Sequence, residues 1–176
     1  MTWRELLDRL AKEEVIGQEE CPMMVRWTLV KLPFGLGKLM VHYFPPETTD
    51  RDPHDHPSSF LTLILKGGYF NTEWVKVDLP DQEYMEELEW IGRGRLIFRR
   101  ASHMHVTETG ERSAWTLIFM GPKQRKWGFL RIEDGKWWGF EKYIERFGGV
   151  IRCDPDQPQQ GSNRDYRDYK GTHPSV

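Results

Sequence analysis

The chain has 176 residues, enough for one domain with a sizeable core, and a formal net charge of −2 from 25 Lys and Arg against 27 Asp and Glu. That balance leaves no electrostatic footprint for nucleic acid or for an anionic membrane surface. No apolar run approaches the roughly 18 residues of a membrane span, and the charged, amphipathic N-terminus lacks the apolar stretch of a signal peptide, so a cytoplasmic protein is expected.

The first element is a helix expected over residues 2–14. Thr2 is placed to cap it, Glu5 follows in capping-box spacing, and Leu6, Leu7, Leu10 and Val15 form an apolar stripe. From Arg26 the pattern changes to short runs rich in β-branched and aromatic residues, each bounded by Gly, Pro, Asn or Asp. Nine strands are expected: 26–31, 38–44, 59–65, 68–77, 87–90, 95–99, 104–108, 114–120 and 127–132. With no helical period among them, this is the signature of a sandwich or barrel rather than of βαβ units. Lys66-Gly67-Gly68 reads as a tight connection, and 140–147 as a short helix ended by Gly148-Gly149. The chain thus divides into an N-terminal helix and lead-in (1–25), a β-barrel with a short C-terminal helix (26–152) and a flexible polar tail (153–176) with almost no aliphatic residue. Cys21 and Cys153 form no CxxC pattern and are expected to be free thiols.

Four of the six histidines fall in two His-x-His pairs, His54/His56 and His103/His105. Alternate residues of a strand share a face, so each pair presents two imidazoles in one direction. Two such pairs on neighbouring strands would converge on one site, and converging imidazoles suit iron, zinc, nickel, manganese or copper. The other reading is a barrel whose histidines hydrogen-bond within a pocket. His42 stands outside both pairs, as a pocket or surface histidine. The rings of Phe60, Trp74, Phe98 and Trp115 fit a pocket lining and core packing equally well. Arg99, Arg100 and Arg125 are candidates for holding the anionic part of a substrate, Arg125 being suited to bidentate carboxylate recognition. An arginine turned into an apolar barrel needs an acidic partner or an anionic ligand.

The stretch DPHDHPSSFLTLILKGGY resembles the first motif of the cupin superfamily, and the segment from Gly94 to His105 keeps the spacing of the second, with Arg100 and Ser102 in place of that motif's Pro and Gly. The resemblance covers roughly residues 38–120. It implies an all-β fold, the double-stranded β-helix or jelly-roll barrel, with His54, His56 and His105 as metal ligands. His103 would be a further candidate nitrogen and Glu108 a group behind an imidazole. The glutamate that many cupins place four or five residues after the second histidine falls on Phe60 and Leu61 here. What remains resembles the three-histidine site of the thiol-dioxygenase-type cupins, or a site without metal.

Two functions stay open on this reading. One is a mononuclear metalloenzyme holding a divalent ion (iron(II) first, with zinc, nickel or manganese as alternatives) and dioxygenating a small anionic substrate. The other is a non-catalytic small-molecule-binding or regulatory cupin. In either case a homodimer is what the resemblance implies.

Overall fold

The computed structural model describes residues 2–18, 21–50, 52–79 and 82–147. The expected helix stop at Gly148-Gly149, Cys153 and the tail from 153 lie outside the described residues. The architecture is the expected jelly roll, built from two facing sheets and a hairpin. The first sheet has six strands, from β1 (Glu13–Gln18), β2 (Cys21–Lys31), β3 (Lys38–Phe44), β4 (Phe60–Lys66), β7 (Leu96–Arg99) and β9 (Ala114–Met120), in the order β1-β2-β3-β9-β4-β7. The second has β5 (Gly68–Leu79) between β6 (Gln82–Gly92) and β8 (His105–Glu108), and β10 (Gly128–Arg131) pairs with β11 (Lys136–Gly139).

The N-terminal expectation is corrected. Helix α1 runs only over Trp3–Leu10, with the Thr2/Glu5 capping box formed as read, and Ala11 turns extended at φ −153°. Residues Glu13–Gln18 leave the helix to pair antiparallel with β2, from Glu13 opposite Trp27 to Ile16 opposite Met24. Val15 and Ile16 are β-branched and Gly17 holds φ 106°, so this stretch loses little by leaving the helix and gains a ladder of backbone hydrogen bonds. Leu7 of α1 packs with Val25, Trp27 and Val41 on the outer face of the six-stranded sheet. Trp27 is fully buried there, and its indole N–H donates to Asp8 at 2.8 Å.

Alternation then sends the other set of side chains inward. On β3, Val41 belongs to that outer core, while Lys38, His42 and Phe44 line a cavity between the sheets. The turn at Lys66-Gly67-Gly68 forms as expected, with Gly67 at φ 69°, a conformation that favours glycine. Strand β11 was not foreseen in the sequence. Its hairpin closes because Gly128 has no side chain: a Cβ there would lie 1.9 Å from the carbonyl oxygen of Trp138. Helix α2 (Phe140–Phe147) follows directly and buries Tyr143, whose ring stacks on Phe129 at 4.2 Å between centroids.

Candidate metal centre

The segment between β3 and β4 carries His54 and His56, and it is pinned at several points. His54 and His105 exchange two backbone hydrogen bonds of 3.0 Å, one from each N–H. Directly opposed residues of such a pair project from the same face, so their imidazoles meet. His56 N–H donates to the Ala101 carbonyl at 2.9 Å. Two acidic residues of the same segment help to hold it in place. Asp52 accepts from Ile132 N–H at 3.2 Å and from the Tyr143 hydroxyl. Asp55, almost wholly buried, accepts from Gly128 N–H at 2.7 Å and from Arg125 at 2.5 Å.

The result is a triangle of rings. His54–His56, His54–His105 and His56–His105 centroids stand 4.9, 4.9 and 5.0 Å apart. One ring nitrogen from each of the three lies within 4.8 Å of the others. His105 Nδ1 sits 2.5 Å from Asn71 Oδ1, so its N–H donates there and its Nε2 is left with a lone pair. That lone pair points at His56 Nε2, 2.8 Å away. His54 Nδ1 faces Asp50 Oδ2 at 3.5 Å, and Asp50 also accepts the Thr107 N–H at 2.7 Å.

Burial first, and then the neighbouring charges, hold His56 and His105 well below the ordinary imidazole value of 6.5. Both are therefore neutral near pH 7, the form that ligates a metal. Three converging imidazoles, two of them held neutral and one already oriented by an amide oxygen, form a donor set that fits a divalent transition-metal ion. Phe60 occupies the place of the missing glutamate. It is buried, with its ring 4.5 Å from His56, and brings no oxygen to the cluster.

The remaining candidates are placed as follows. His103 lies beside the triangle, 4.9 Å from His105 between ring centroids, but outside the converging group. Its Nδ1 pairs with Glu73 at 2.9 Å, and burial lowers its pKa to about 4. Glu108 ends β8 and pairs with Phe70 in register, three residues beyond His105 and therefore on the opposite face. The groups set behind the imidazoles are Asn71 and Asp50, which the sequence reading did not single out. Arg99 is half-buried on β7, and its charge adds to the lowering of His56, His103 and His105. Arg100 is exposed, and Arg125 is the partner of Asp55. None of these three arginines lines the cavity, whose cations are Arg26 and Lys38. Of the four candidate aromatic rings Phe60 lines it, Trp74 is half-buried on β5 away from that lining, Phe98 is exposed, and Trp115 stacks on Trp27 at 5.8 Å.

The cavity that opens onto the triangle has a volume of about 440 Å³. Ile118, Met120, Trp127, Phe129 and Phe140 make much of its wall apolar. A jelly-roll barrel enclosing a ligand-sized cavity with a histidine triangle in its wall belongs to a definite structural class: the chain has the cupin fold, and the triangle fits a cupin metal site. It superposes on a cupin-2 domain of Rhodospirillum rubrum with a TM-score of 0.55 and 13% identity, over 76% of this chain and 81% of that one. The polyketide cyclase RemF of Streptomyces resistomycificus gives a TM-score of 0.53 and 18% identity, over 78% and 89%. A 7S globulin of Momordica charantia gives 0.51 and 12%, over 70% of this chain and 36% of that one. At such identities the likeness is one of fold. No protein-family model matches the chain, and no curated protein matches it in sequence. No helix among the described residues is long and apolar enough to cross a membrane.

Proposed function

We propose that the protein is a mononuclear metal-dependent enzyme, with iron(II)-dependent dioxygenation of a small anionic substrate as its reaction. The observation that carries this reading is the triangle of His54, His56 and His105, with no carboxylate among its donors and with His56 and His105 kept neutral by burial. Imidazole ligates a metal in its neutral form, so three such ligands would leave the full charge of a divalent ion in place, which favours a substrate with a carboxylate or thiolate. Bound iron(II) would supply the one-electron chemistry that couples dioxygen to an organic substrate.

The chain's own residues supply the rest. Asn71 fixes the His105 tautomer, and Asp50 stands behind His54. Trp127, Phe129 and Phe140 give the cavity an apolar wall, with the Phe129 ring 5.7 Å from that of His54. Arg26 and Lys38 add positive charge to the wall, Arg26 held at 2.6 Å by Glu14. Burial raises the Tyr69 hydroxyl to about 12, so it enters the cavity wall as a neutral hydrogen-bonding group.

A non-catalytic binding protein is the second reading, and Phe60 in the glutamate position favours it. The fold does not choose, since by their names one similar structure is a polyketide cyclase and another a 7S globulin. Oxygen consumption by the iron-reconstituted protein over a panel of small carboxylates and thiols separates the two. Turnover that disappears in His105→Ala is expected. Saturable binding of panel members with no oxygen uptake would establish the binding protein instead.

A further inference from the structure

The cavity has a second polar wall opposite in character to the metal centre. His42, Thr116 and Thr62 sit on the adjacent strands β3, β9 and β4. His42 pairs in register with Thr116, which is opposite Ile64, and Thr62 is the next inward-facing residue along β4 from Ile64. All three line the cavity, and their exposures are only 5%, 1% and 2%. His42 Nε2, Thr116 Oγ1 and Thr62 Oγ1 have no hydrogen-bond partner among the described residues.

Each such group costs roughly 1–3 kcal/mol when it is buried unpaired. Valine has nearly the shape of threonine, and the neighbouring inward positions Phe60, Ile118 and Met120 are apolar. A wall that served packing alone would be apolar at 62 and 116 as well. Three unpaired groups on adjacent strands, facing one cavity, instead have the form of a recognition surface that a ligand completes.

The chemistry of the wall limits the ligand. Two hydroxyls can each donate and accept. His42 is held neutral, its pKa lowered to about 3 by burial first and then by Arg26 and Lys38. A neutral imidazole beside two hydroxyls matches an uncharged oxygen better than it matches an anion.

We propose that His42, Thr62 and Thr116 form the specificity surface of this site, binding a hydroxyl or carbonyl oxygen carried on the apolar body of the substrate. That the substrate's other, anionic end goes to the histidine triangle rests on the metal-centre reading. The recognition wall itself does not depend on it.

The test uses the full chain, loaded with redox-inert zinc and also metal-free. The probes are unbranched carboxylates from butyrate to octanoate, each beside its ω-hydroxy counterpart, with affinity read by calorimetry. For at least one length the hydroxyl is expected to tighten binding tenfold or more. In the Thr62→Val/Thr116→Val double variant the two members of each pair should bind within about twofold of each other. The ligand-free double variant should also melt above the wild type, because two unpaired hydroxyls have gone. Absence of a hydroxyl preference at every length, or a preference that survives in the double variant, overturns the proposal. A lower melting temperature for the variant also overturns it, since the hydroxyls would then be partnered within the fold. A preference seen equally in zinc-loaded and metal-free protein, with no zinc bound at the triangle, would sustain this wall while removing the metal reading.

Discussion

The two polar walls of the cavity are built on opposite plans. On the metal side the segment carrying His54 and His56 is tied to four other parts of the chain: His105, Ala101, the Gly128 hairpin and Tyr143 of α2. His105 is oriented by Asn71 at 2.5 Å. On the sheet side, His42, Thr62 and Thr116 are placed by strand pairing, and His42 Nε2 and the two threonine hydroxyls have no hydrogen-bond partner among the described residues. A metal centre requires ligands fixed before the ion arrives, because ordering them afterwards would subtract from affinity. A substrate surface requires groups left unpaired, because a hydrogen bond already made inside the protein discriminates nothing. The difference separates preorganised chemistry from recognition within one barrel.

The sharpest way to break this comparison is to loosen the metal side without touching a ligand. Asn71→Ala removes the acceptor for His105 Nδ1–H, freeing the tautomer and the ring. Metal affinity, measured by chelator competition, should fall about 10–100-fold while the far-ultraviolet circular dichroism stays that of the wild type. An unchanged affinity would mean that backbone pairing alone sets the geometry of His105.

A smaller effect sharpens the sheet side. The pKa of His42 is lowered in the folded protein to about 3 from its ordinary 6.5, so the unfolded chain takes up a proton that the folded chain refuses. The stability tied to keeping His42 neutral is whole above pH 6.5 and is lost as pH falls toward 3. Asp50, whose carboxyl is raised by burial, works in the opposite sense near its own range. His56, His103 and His105, also lowered by burial, add to the loss in the same sense. The His42 share, about 1–2 kcal/mol between pH 7 and pH 5, is therefore read by urea denaturation as the difference between the wild type and a His42 variant. His42→Gln should remove that part of the slope. An equal slope in the variant would show that His42 has a partner able to share its proton.

How much of this was legible in the sequence depends on whether the signal was local. Strands β3 and β9 and helix α2 have the ends expected from their residues, because alternation and bounding turns are local properties. Strand β1 was read as the end of a helix. Its stripe continued through Val15, and only pairing with β2 makes it a strand. Strand β11 was missed because Lys136–Gly139 is short, abuts α2 and acquires its form from Gly128 and its neighbours across the hairpin.

The same divide runs through the site. Spacing marks the two pairs His54/His56 and His103/His105, and the resemblance to the cupin motifs implies His54, His56 and His105 as the ligands among them. Asn71 and Asp50 could not be named, since nothing in GGYFNTEW or in the approach to His54 says which polar group will face an imidazole. That depends on β5 pairing with β8, which sets Asn71 opposite Thr107. From the sequence Arg125 is a candidate for a substrate anion, whereas the carboxylate it holds is that of Asp55, seventy residues away in the chain. The sequence fits His42 equally to a pocket or to the surface, and nothing in it marks Thr62 or Thr116. An unsatisfied hydroxyl is a property of the folded interior rather than of the residue.

The central claim is that the histidine triangle holds a metal. Elemental analysis tests it on full-length protein purified without chelator or nickel affinity resin, beside a His54→Ala/His105→Ala variant. The account expects about one divalent ion per chain in the wild type, with iron the leading identity, and none in the variant. No metal in the wild type, even after anaerobic reconstitution with ferrous iron, zinc, nickel or manganese, would contradict it.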